Sequence, residues 1–185
     1  MTLLVTARLN LVPFTDDHVD GLNALNSDPE VMRYLSGRPE TRDETLAGVE
    51  RVKRRWTTFG YSWWSFIERE SGDIVGAGAL QNLRQDVAAE PDPACPVEIG
   101  WRLRRDRWHR GLATEAARAM AGFAFDVLRL DELYAVCNPD NTASAAVMRR
   151  LGMQDRGLQT WYGKPLTTYQ MNADQWRTAR DVTLG

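Results

Sequence analysis

Cysteine and histidine are scarce in this chain. Its 185 residues include two cysteines and two histidines. Cys95 and Cys137 stand far apart, and a disulfide framework or a zinc site needs more ligands at closer spacing. His18 and His109 do not complete such a set. We therefore expect no metal ion in this protein.

Long apolar runs are also missing. No stretch of the sequence is apolar over enough residues to span a bilayer. The N-terminal segment has a short apolar run, but it lacks the basic leader and the small-residue cleavage site of a secretory signal. These absences predict a cytoplasmic protein that does not associate with a membrane.

Neither sign of charge is in large excess. The chain has 23 Lys and Arg residues against 25 Asp and Glu residues, for a formal net charge of −2. Binding to a nucleic-acid backbone needs a clustered basic surface, so this balance argues against nucleic acid as a partner. Lysine occurs only at Lys53 and Lys164. The cations are otherwise arginine, which pairs with phosphate in a bidentate manner that lysine cannot match.

The length suits one domain, and we predict that residues 1–185 form one. Apolar periodicity predicts strands that alternate with helices along it. The acidic, proline-containing residues 86–96 show no periodicity and predict a surface loop. The first predicted strand contains Leu9, Leu11 and the residues before them and stops at Pro13. The other predicted strands cover residues 61–69, 74–81, 97–103, 132–137, 159–162 and 167–171. The predicted helices cover residues 16–25, a short stretch from 29, 41–59, 112–127, 141–150 and the C-terminus.

The predicted strand at 97–103 is the most regular part of the chain. It alternates so that Glu98 and Arg102 share one strand face, while Trp101 and Leu103 share the other. A long amphipathic helix follows it, and then another strand at 132–137. The order strand, helix, strand with short connections predicts a parallel pair in one sheet.

The segment at 108–114, which enters that helix, has the features of an anion site. Gly111 allows the backbone to turn tightly and to approach a ligand closely. The unpaired amides at the start of a helix favour an anion, and Arg110 and its neighbouring arginines would add charge-assisted contacts to a diphosphate. The residues alone leave open a simple strand–helix turn with solvated arginines. A P-loop is excluded, because its glycine spacing and its Lys-Ser/Thr are missing.

Several segments together resemble the GNAT superfamily of N-acetyltransferases. The resemblance is closer to the RimJ/RimL-type branch, which acetylates protein N-termini and includes many small-amine acetylases. The segments are GYSWW at 60–64, GAGAL at 76–80, EIGW at 98–101, WHRGLATEA at 108–116, NPDNTAS at 138–144 and LGM at 151–153. The resemblance implies an α/β (α+β) fold with a mixed, mostly antiparallel sheet of six or seven strands and helices on both faces. It also implies transfer of an acetyl group from acetyl-CoA to an amine.

The pyrophosphate loop of that superfamily has the form Gln/Arg-x-x-Gly-x-Gly/Ala. Here Trp108 stands at its first position, which departs from the general pattern but suits the RimJ/RimL-type branch. His109 replaces a residue that is often glycine. The resemblance implies that Leu103 and Arg104 offer backbone groups to the pantetheine arm of CoA, where an amide could also stabilise the oxyanion. It further implies that the CoA pyrophosphate is held by the backbone amides of His109, Arg110, Gly111, Leu112, Ala113 and Thr114.

Acetyl transfer needs a base for the acceptor amine and an acid for the leaving thiolate. Many GNAT enzymes use a tyrosine as the acid, but Met148 occupies that position here. The RimJ/RimL-type branch instead places a serine three residues after an asparagine. This makes Ser144 the candidate acid and Asn141 a contact to CoA or to the intermediate. Both residue types are also favoured at a helix start, so capping is the alternative.

Glu98 is the candidate base, either directly or through a water. The alternative is a strand carboxylate that faces solvent. Glu115 lies in the first turn of its helix, where an acid complements the helix dipole without any catalytic role. Cys137 is better explained as a small buried apolar residue than as a site for an acyl-enzyme. Direct transfer in a ternary complex is therefore predicted.

The predicted function is acetyl-CoA-dependent N-acetylation of a primary amine. The acceptor is either the α-amine of a protein N-terminus or the amine of a small molecule. The alternative from another class is a non-catalytic, CoA-binding regulatory module of the same fold. The resemblance is also compatible with a homodimer.

Overall fold

The computed structural model describes residues 2–86 and 92–184, with the side chains of 181–184 left aside. Eight strands and six α-helices alternate along the described chain. The strands are β1 (Leu4–Val5), β2 (Leu9–Pro13), β3 (Trp63–Glu68), β4 (Ile74–Asn82), β5 (Val97–Leu103), β6 (Glu132–Cys137), β7 (Gln154–Trp161) and β8 (Lys164–Asn172). The helices are α1 (Val19–Asn26), α2 (Pro29–Met32), α3 (Arg42–Phe59), α4 (Leu112–Gly122), α5 (Thr142–Arg150) and α6 (Ala173–Leu184).

The strands form one mixed sheet in the order β1-β2-β3-β4-β5-β6-β8-β7. Strands β5 and β6 run parallel, with Glu98 opposite Tyr134, as the strand–helix–strand order predicted. The pairs β1–β2, β2–β3, β3–β4, β6–β8 and β7–β8 are antiparallel. The mixed, mostly antiparallel sheet is thus confirmed. The predicted number of six or seven strands is wrong, because Leu4–Val5 adds an eighth strand too short to show alternation.

The residues of the chain group into two compact units. The first consists of Met1–Ala79 and Trp101–Ala119, and the second of Leu80–Gly100 and Met120–Gly185. The division cuts β4, β5 and α4, so each unit is built from separate stretches of sequence. The assignment of residues 1–185 to one domain stays a prediction.

Helix α3 of the first unit is terminated by local signals at both ends. The Thr41 hydroxyl accepts a hydrogen bond from the Glu44 amide at 3.2 Å, and the Glu44 carboxylate accepts one from the Thr41 amide at 2.8 Å. This capping box satisfies two amides that a helix start leaves unpaired. Gly60 ends the helix in the left-handed conformation, with φ of 76°. The core beneath includes Trp64, whose ring meets Trp56 edge to face at 4.8 Å.

The predicted helix from 112 to 127 is not α-helical throughout. Helix α4 ends at Gly122, and Phe123–Val127 forms a π-helical turn. Within the second unit, Phe125 stacks on Trp176 of α6 at 5.9 Å, and Asp126 accepts a hydrogen bond from Arg180 at 3.0 Å. Phe123 and Phe125 are both buried in this turn. The apolar spacing along residues 112–127 did not reveal where the α-helix ends.

Strand β7 is longer than predicted, because it begins at Gln154 and not near 159. It lies at the edge of the sheet and is exposed along most of its length, so it shows no apolar alternation. Of the predicted loop at 86–96, residues 87–91 lie outside the described residues. Among the helices that the structure describes, none is both long and apolar enough to cross a membrane.

Candidate active site

The first candidate region is the turn that leads into α4, in the first unit. Gly111 has φ of 77° and His109 has φ of 58°, so both adopt the left-handed region. That region is freely accessible to glycine and unfavourable for histidine. The Gly111 carbonyl accepts the first α4 hydrogen bond, from the Glu115 amide at 3.1 Å. The turn therefore leads directly into a helix start, as the sequence predicted.

The N-terminal segment holds this turn in place. The carboxylate of Glu115 accepts hydrogen bonds from the Thr6 hydroxyl at 2.6 Å and from the Arg8 amide at 2.8 Å. It also pairs with the Arg8 guanidinium at 2.6 Å. A second guanidinium nitrogen of Arg8 donates to the Arg110 carbonyl at 2.8 Å. Burial acts to raise the pKa of Glu115, but these hydrogen bonds outweigh it and hold the pKa below its ordinary value. Glu115 thus has a structural role, as expected, because its carboxylate connects the N-terminal segment to the start of α4.

The arginines before the turn differ in what they contact. Arg104 pairs with Asp106 at 2.7 Å, and Arg107 pairs with Glu68 at 3.0 Å, so these two cations are neutralised within the first unit. Arg110 is exposed at the turn. Arg104 and Arg107 are therefore engaged by carboxylates, and of the arginines expected to contact a diphosphate the exposed ones, such as Arg110, are available.

The backbone near the predicted pantetheine site is partly engaged. The Arg104 amide donates to the Val75 carbonyl at 2.8 Å, so this amide is used within the sheet. The Leu103 carbonyl accepts from the Trp108 indole at 2.8 Å and has a second lone pair for another donor. The predicted role of the Arg104 amide would thus require the sheet bond to open, whereas the Leu103 carbonyl can accept a ligand donor as it stands.

The second candidate region surrounds Glu98, in the second unit. Its side chain is 7% exposed, so the alternative of a solvent-facing strand carboxylate is wrong. One carboxylate oxygen accepts from the Gln81 amide nitrogen at 2.9 Å and also from the Tyr162 hydroxyl. The same Gln81 nitrogen lies 3.2 Å from the Tyr162 oxygen. Three polar side chains thus form one closed cluster.

Tyr162 reaches Glu98 because its turn is tied to a loop after β4. The residue lies between β7 and β8 with φ of 55°. Its amide donates to the Arg84 carbonyl at 2.7 Å, and the Gly163 amide donates to the Gln85 carbonyl at 2.8 Å. The Arg84 guanidinium also lies over the Tyr162 ring at 5.3 Å. Sequence reasoning missed Tyr162, because its partner lies 64 positions away and only a turn-forming glycine marks the place.

This environment alters proton affinities in a defined direction. Burial raises the pKa of Glu98, and the hydrogen bonds from Gln81 and Tyr162 oppose that rise. Burial also raises the pKa of Tyr162, and the neighbouring Glu98 charge raises it further. The tyrosine therefore remains a hydroxyl donor at neutral pH. A buried carboxyl with a raised pKa is a more effective proton acceptor than a solvated one.

The start of α5 carries the other two predicted residues. The Asn141 side chain accepts a hydrogen bond from the Ser144 amide at 3.1 Å and so caps the helix. Ser144 is half-buried, and Met148 is buried. The capping alternative therefore holds for Asn141, which leaves its amide nitrogen as a donor to a ligand.

Cys137 is buried, and burial raises the pKa of its thiol. A thiol that resists ionisation is a poor nucleophile. Among the described residues, no three His, Cys, Asp or Glu side chains cluster as a metal site would require.

The comparison with known protein families identifies the class. The acetyltransferase (GNAT) domain matches residues 8–154, which is most of the chain. The chain therefore belongs to the GNAT acetyltransferase family. It is an acetyltransferase that uses acetyl-CoA as its co-substrate and transfers the acetyl group to an amine. The alternative of a non-catalytic module is accordingly set aside.

Individual relatives support the same class. N-acetyltransferase YnaD of Bacillus subtilis is 37% identical over 155 residues, which are 84% of each chain. The FsC-acetyl coenzyme A-N(2)-transacetylase of Aspergillus fumigatus is 33% identical over 165 residues, which are 87% of this chain and 68% of that protein. An acetyltransferase from Agrobacterium tumefaciens has the same fold, with a TM-score of 0.78 at 24% identity over 93% of this chain and 95% of its own. The ribosomal L7/L12 α-N-protein acetyltransferase RimL, solved with coenzyme A, has a TM-score of 0.74 at 18% identity over 94% and 99%.

Proposed function

We propose that this enzyme transfers the acetyl group directly from acetyl-CoA to a primary amine within a ternary complex, with Glu98 as the base. The observation that carries the proposal is the buried Glu98 carboxylate, held by Gln81 and Tyr162. Burial at a strand residue is costly for a carboxylate, and such a cost is typical of a group whose proton affinity serves a reaction. The acceptor is a protein N-terminal α-amine or a small-molecule amine.

The donor site is assigned to the turn before α4. The amides of residues 109–114 bind the pyrophosphate, because the left-handed backbone at His109 and Gly111 directs the chain into a helix start. Exposed Arg110 adds a cation there. The pantetheine arm contacts the backbone at Leu103. Support comes from the family, whose members use acetyl-CoA as co-substrate.

In the reaction, the neutral amine nitrogen attacks the thioester carbon and forms a tetrahedral intermediate. The nitrogen then loses a proton to Glu98, directly or through a water. When the intermediate collapses, the carbon–sulfur bond breaks, and the Ser144 hydroxyl passes a proton to the thiolate while it takes one from water. The protonated Glu98 releases its proton to water, so both residues return to their starting states. The products are the N-acetylated amine and CoA. General base and general acid steps of this kind each contribute roughly 10²–10⁴ in rate.

Two observations support these assignments further. The Asn141 cap orders the first turn of α5, which places Ser144 at a defined position. The buried Cys137 thiol, with its raised pKa, makes an acyl-enzyme an unfavourable route, which supports direct transfer.

The test is thiol release from acetyl-CoA against small amines and short peptides with free N-termini. We expect release with one acceptor class, with kcat at least about 100-fold lower in Glu98→Gln because the base is lost. Gly111→Trp should abolish acetyl-CoA binding, because a bulky residue is strained at φ of 77° and would fill the turn.

The matched control is Glu132→Gln, which removes an exposed strand carboxylate that contacts Gln170 at 2.8 Å. Its turnover should equal that of the unchanged enzyme. Full turnover in Glu98→Gln with every acceptor would refute the assignment of Glu98 as the base. Tight CoA binding without release from any acceptor would refute the proposed reaction.

Two finer points belong to the same proposal. The RimJ/RimL-type branch includes enzymes that acetylate protein N-termini and enzymes that acetylate small amines, and the acceptor panel distinguishes the two. A homodimer would show as about twice the chain mass of 21.0 kDa in sedimentation equilibrium.

A further inference from the structure

Arg102 on β5 is a cation that the fold of the first unit leaves without an anion. Its guanidinium lies over the Trp63 ring, 4.6 Å from the ring centroid. Its Nε is buried and has no hydrogen-bond partner among residues 2–86 and 92–180. Within the described part of the chain, Arg102 makes no ion pair. Arg102 as a whole is half-buried, and burial of its guanidinium lowers its pKa to about 10.

The neighbouring arginines show that this arrangement is specific to Arg102. Arg104 and Arg107 follow within five residues, and each contacts a carboxylate at 3.0 Å or less. A buried charge is expensive unless it is paired and hydrogen-bonded. Stacking on a tryptophan offsets part of that cost but satisfies none of the five N–H donors. The guanidinium of Arg102 therefore has N–H groups that can donate to an anionic ligand.

Glu40, which precedes α3, is the acidic residue whose charge acts on Arg102. It raises the pKa of Arg102 electrostatically, but it makes no ion pair with it among the described residues. Its carboxylate instead accepts from the Asn26 amide nitrogen at 2.9 Å. The side-chain oxygen of Asn26 is buried and accepts no hydrogen bond from the part of the chain that the structure describes. Among the described residues of the first unit, Asn26 thus has an acceptor atom without a partner, and Arg102 has a donor atom without one. Asn26 donates a hydrogen bond to Glu40, and the charge of Glu40 acts on Arg102.

We propose that Arg102, stacked on Trp63, binds the carboxylate of the acceptor, so that the preferred acceptor is a free amino acid and not a simple amine or a peptide. This rests on the proposed function, because it assigns the acceptor of that reaction. A guanidinium presents two parallel N–H groups that match a carboxylate, and a shielded environment strengthens such pairs. The alternation of β5 predicts that Arg102 and Glu98 share a strand face.

The test separates binding from turnover. CoA-saturated enzyme is titrated calorimetrically with alanine, methionine, phenylalanine and glutamate, each compared with its amide and with the decarboxylated amine. Thiol release is then measured with the same compounds. We expect at least one free amino acid to bind about 10- to 100-fold more tightly than its amide, as a charge-assisted pair predicts. Amine ionisation cannot produce this turnover preference, because the amide has the more readily deprotonated amine.

Arg102→Met keeps an apolar stem like that of arginine and removes the charge, so it should abolish the preference for the carboxylate while acetyl-CoA binding is kept. Arg102→Lys keeps the charge without the bidentate geometry and should retain part of the preference. The matched control is Arg33→Met, which removes an exposed guanidinium stacked on Tyr34 at 5.1 Å and should change nothing.

The outcomes distinguish failure of the carboxylate site from failure of the proposed acetyl transfer. Equal binding of free acids and amides, or a preference that persists in both Arg102 variants, overturns the carboxylate site. Acetylation of amines without a carboxylate preference would overturn it while the proposed function stands. Carboxylate-selective binding that depends on Arg102, without any thiol release, would support the site and overturn the proposed reaction.

Discussion

The hydroxyl of Tyr162 controls the proton affinity of Glu98, and its removal gives the sharpest test of the site. The hydroxyl donates to the buried carboxylate, and this hydrogen bond opposes the rise in the pKa of Glu98 that burial causes. In Tyr162→Phe that donor is lost, while Gln81 still donates at 2.9 Å. The carboxylate of Glu98 therefore holds its proton more tightly in the variant.

The magnitude follows from the contact. A hydrogen bond to a charged group contributes about 1.5–3 kcal/mol, and 1.36 kcal/mol corresponds to a tenfold change in proton affinity. The proton affinity of Glu98 should therefore increase about 10- to 100-fold. The lower end is expected, because the Gln81 nitrogen that now also contacts the Tyr162 oxygen can turn wholly to the carboxylate.

The assay is kcat against pH at saturating acetyl-CoA and acceptor. A base is active when ionised, so kcat falls as the pH decreases through the pKa of Glu98. Because that pKa is already raised, the acidic limb of the unchanged enzyme should lie above the ordinary carboxyl range. In Tyr162→Phe the limb moves to higher pH. Below it the rate falls about 10- to 100-fold, and at the alkaline plateau it changes little.

The control is Tyr134→Phe, which removes another partly exposed tyrosine hydroxyl that contacts a carboxylate, that of Glu132 at 3.5 Å. It should leave the pH profile unchanged. An acidic limb at the same pH in Tyr162→Phe and the unchanged enzyme would refute the assignment of Glu98 as the titrating base. A uniform rate loss at every pH would assign Tyr162 a purely structural role.

Three further predictions concern the other parts of the site. Ser144→Ala should lower kcat about 100-fold because the thiolate loses its acid, while CoA affinity is kept; unchanged kcat would remove Ser144 from the mechanism. Gly111→Ala should cost roughly 1 kcal/mol of unfolding free energy, because φ is 77°, and so lower Tm by about 2–4 °C while raising KM for acetyl-CoA; an equal Tm would contradict the strain. Glu115→Gln should destabilise the fold by about 1 kcal/mol near neutral pH, because solvent screens the ion pair at the half-exposed Arg8. The pKa of Glu115 is lowered in the folded state, so its contribution is present above the ordinary carboxyl range and lost as the pH falls through that lowered pKa. Denaturant unfolding of both proteins should therefore converge at acidic pH, and a constant difference would argue against the ion pair.

The helices were predictable where their signals are local. Thr41 and Glu44 form a capping box within four residues, and Pro29 begins α2 after an Asp28 cap. The turn before α4 was predictable for the same reason, since Gly111 adopts the left-handed backbone that its position requires. The π-helical turn after Gly122 was not, because it depends on packing that apolar spacing does not specify.

The strands show the same division. The bounds of β5 and its parallel pairing with β6 were predicted correctly, but burial does not alternate along β5, because Glu98 is buried together with Val97 and Ile99. The two-residue β1 and the exposed first half of β7 were missed, because neither has a buried face that would impose a period on the sequence.

The sequence by itself determined the family, the turn that enters α4 and the identities of Glu98 and Ser144 as candidates. These depend on short motifs whose residues interact within a few positions. Only the tertiary structure decided that Glu98 is buried and that Tyr162 contacts it from 64 positions away. It also decided that Arg102 stacks on Trp63 and makes no ion pair with the described residues. Burial and long-range hydrogen bonds arise when distant segments pack together, and no local pattern in the chain records which segments those will be.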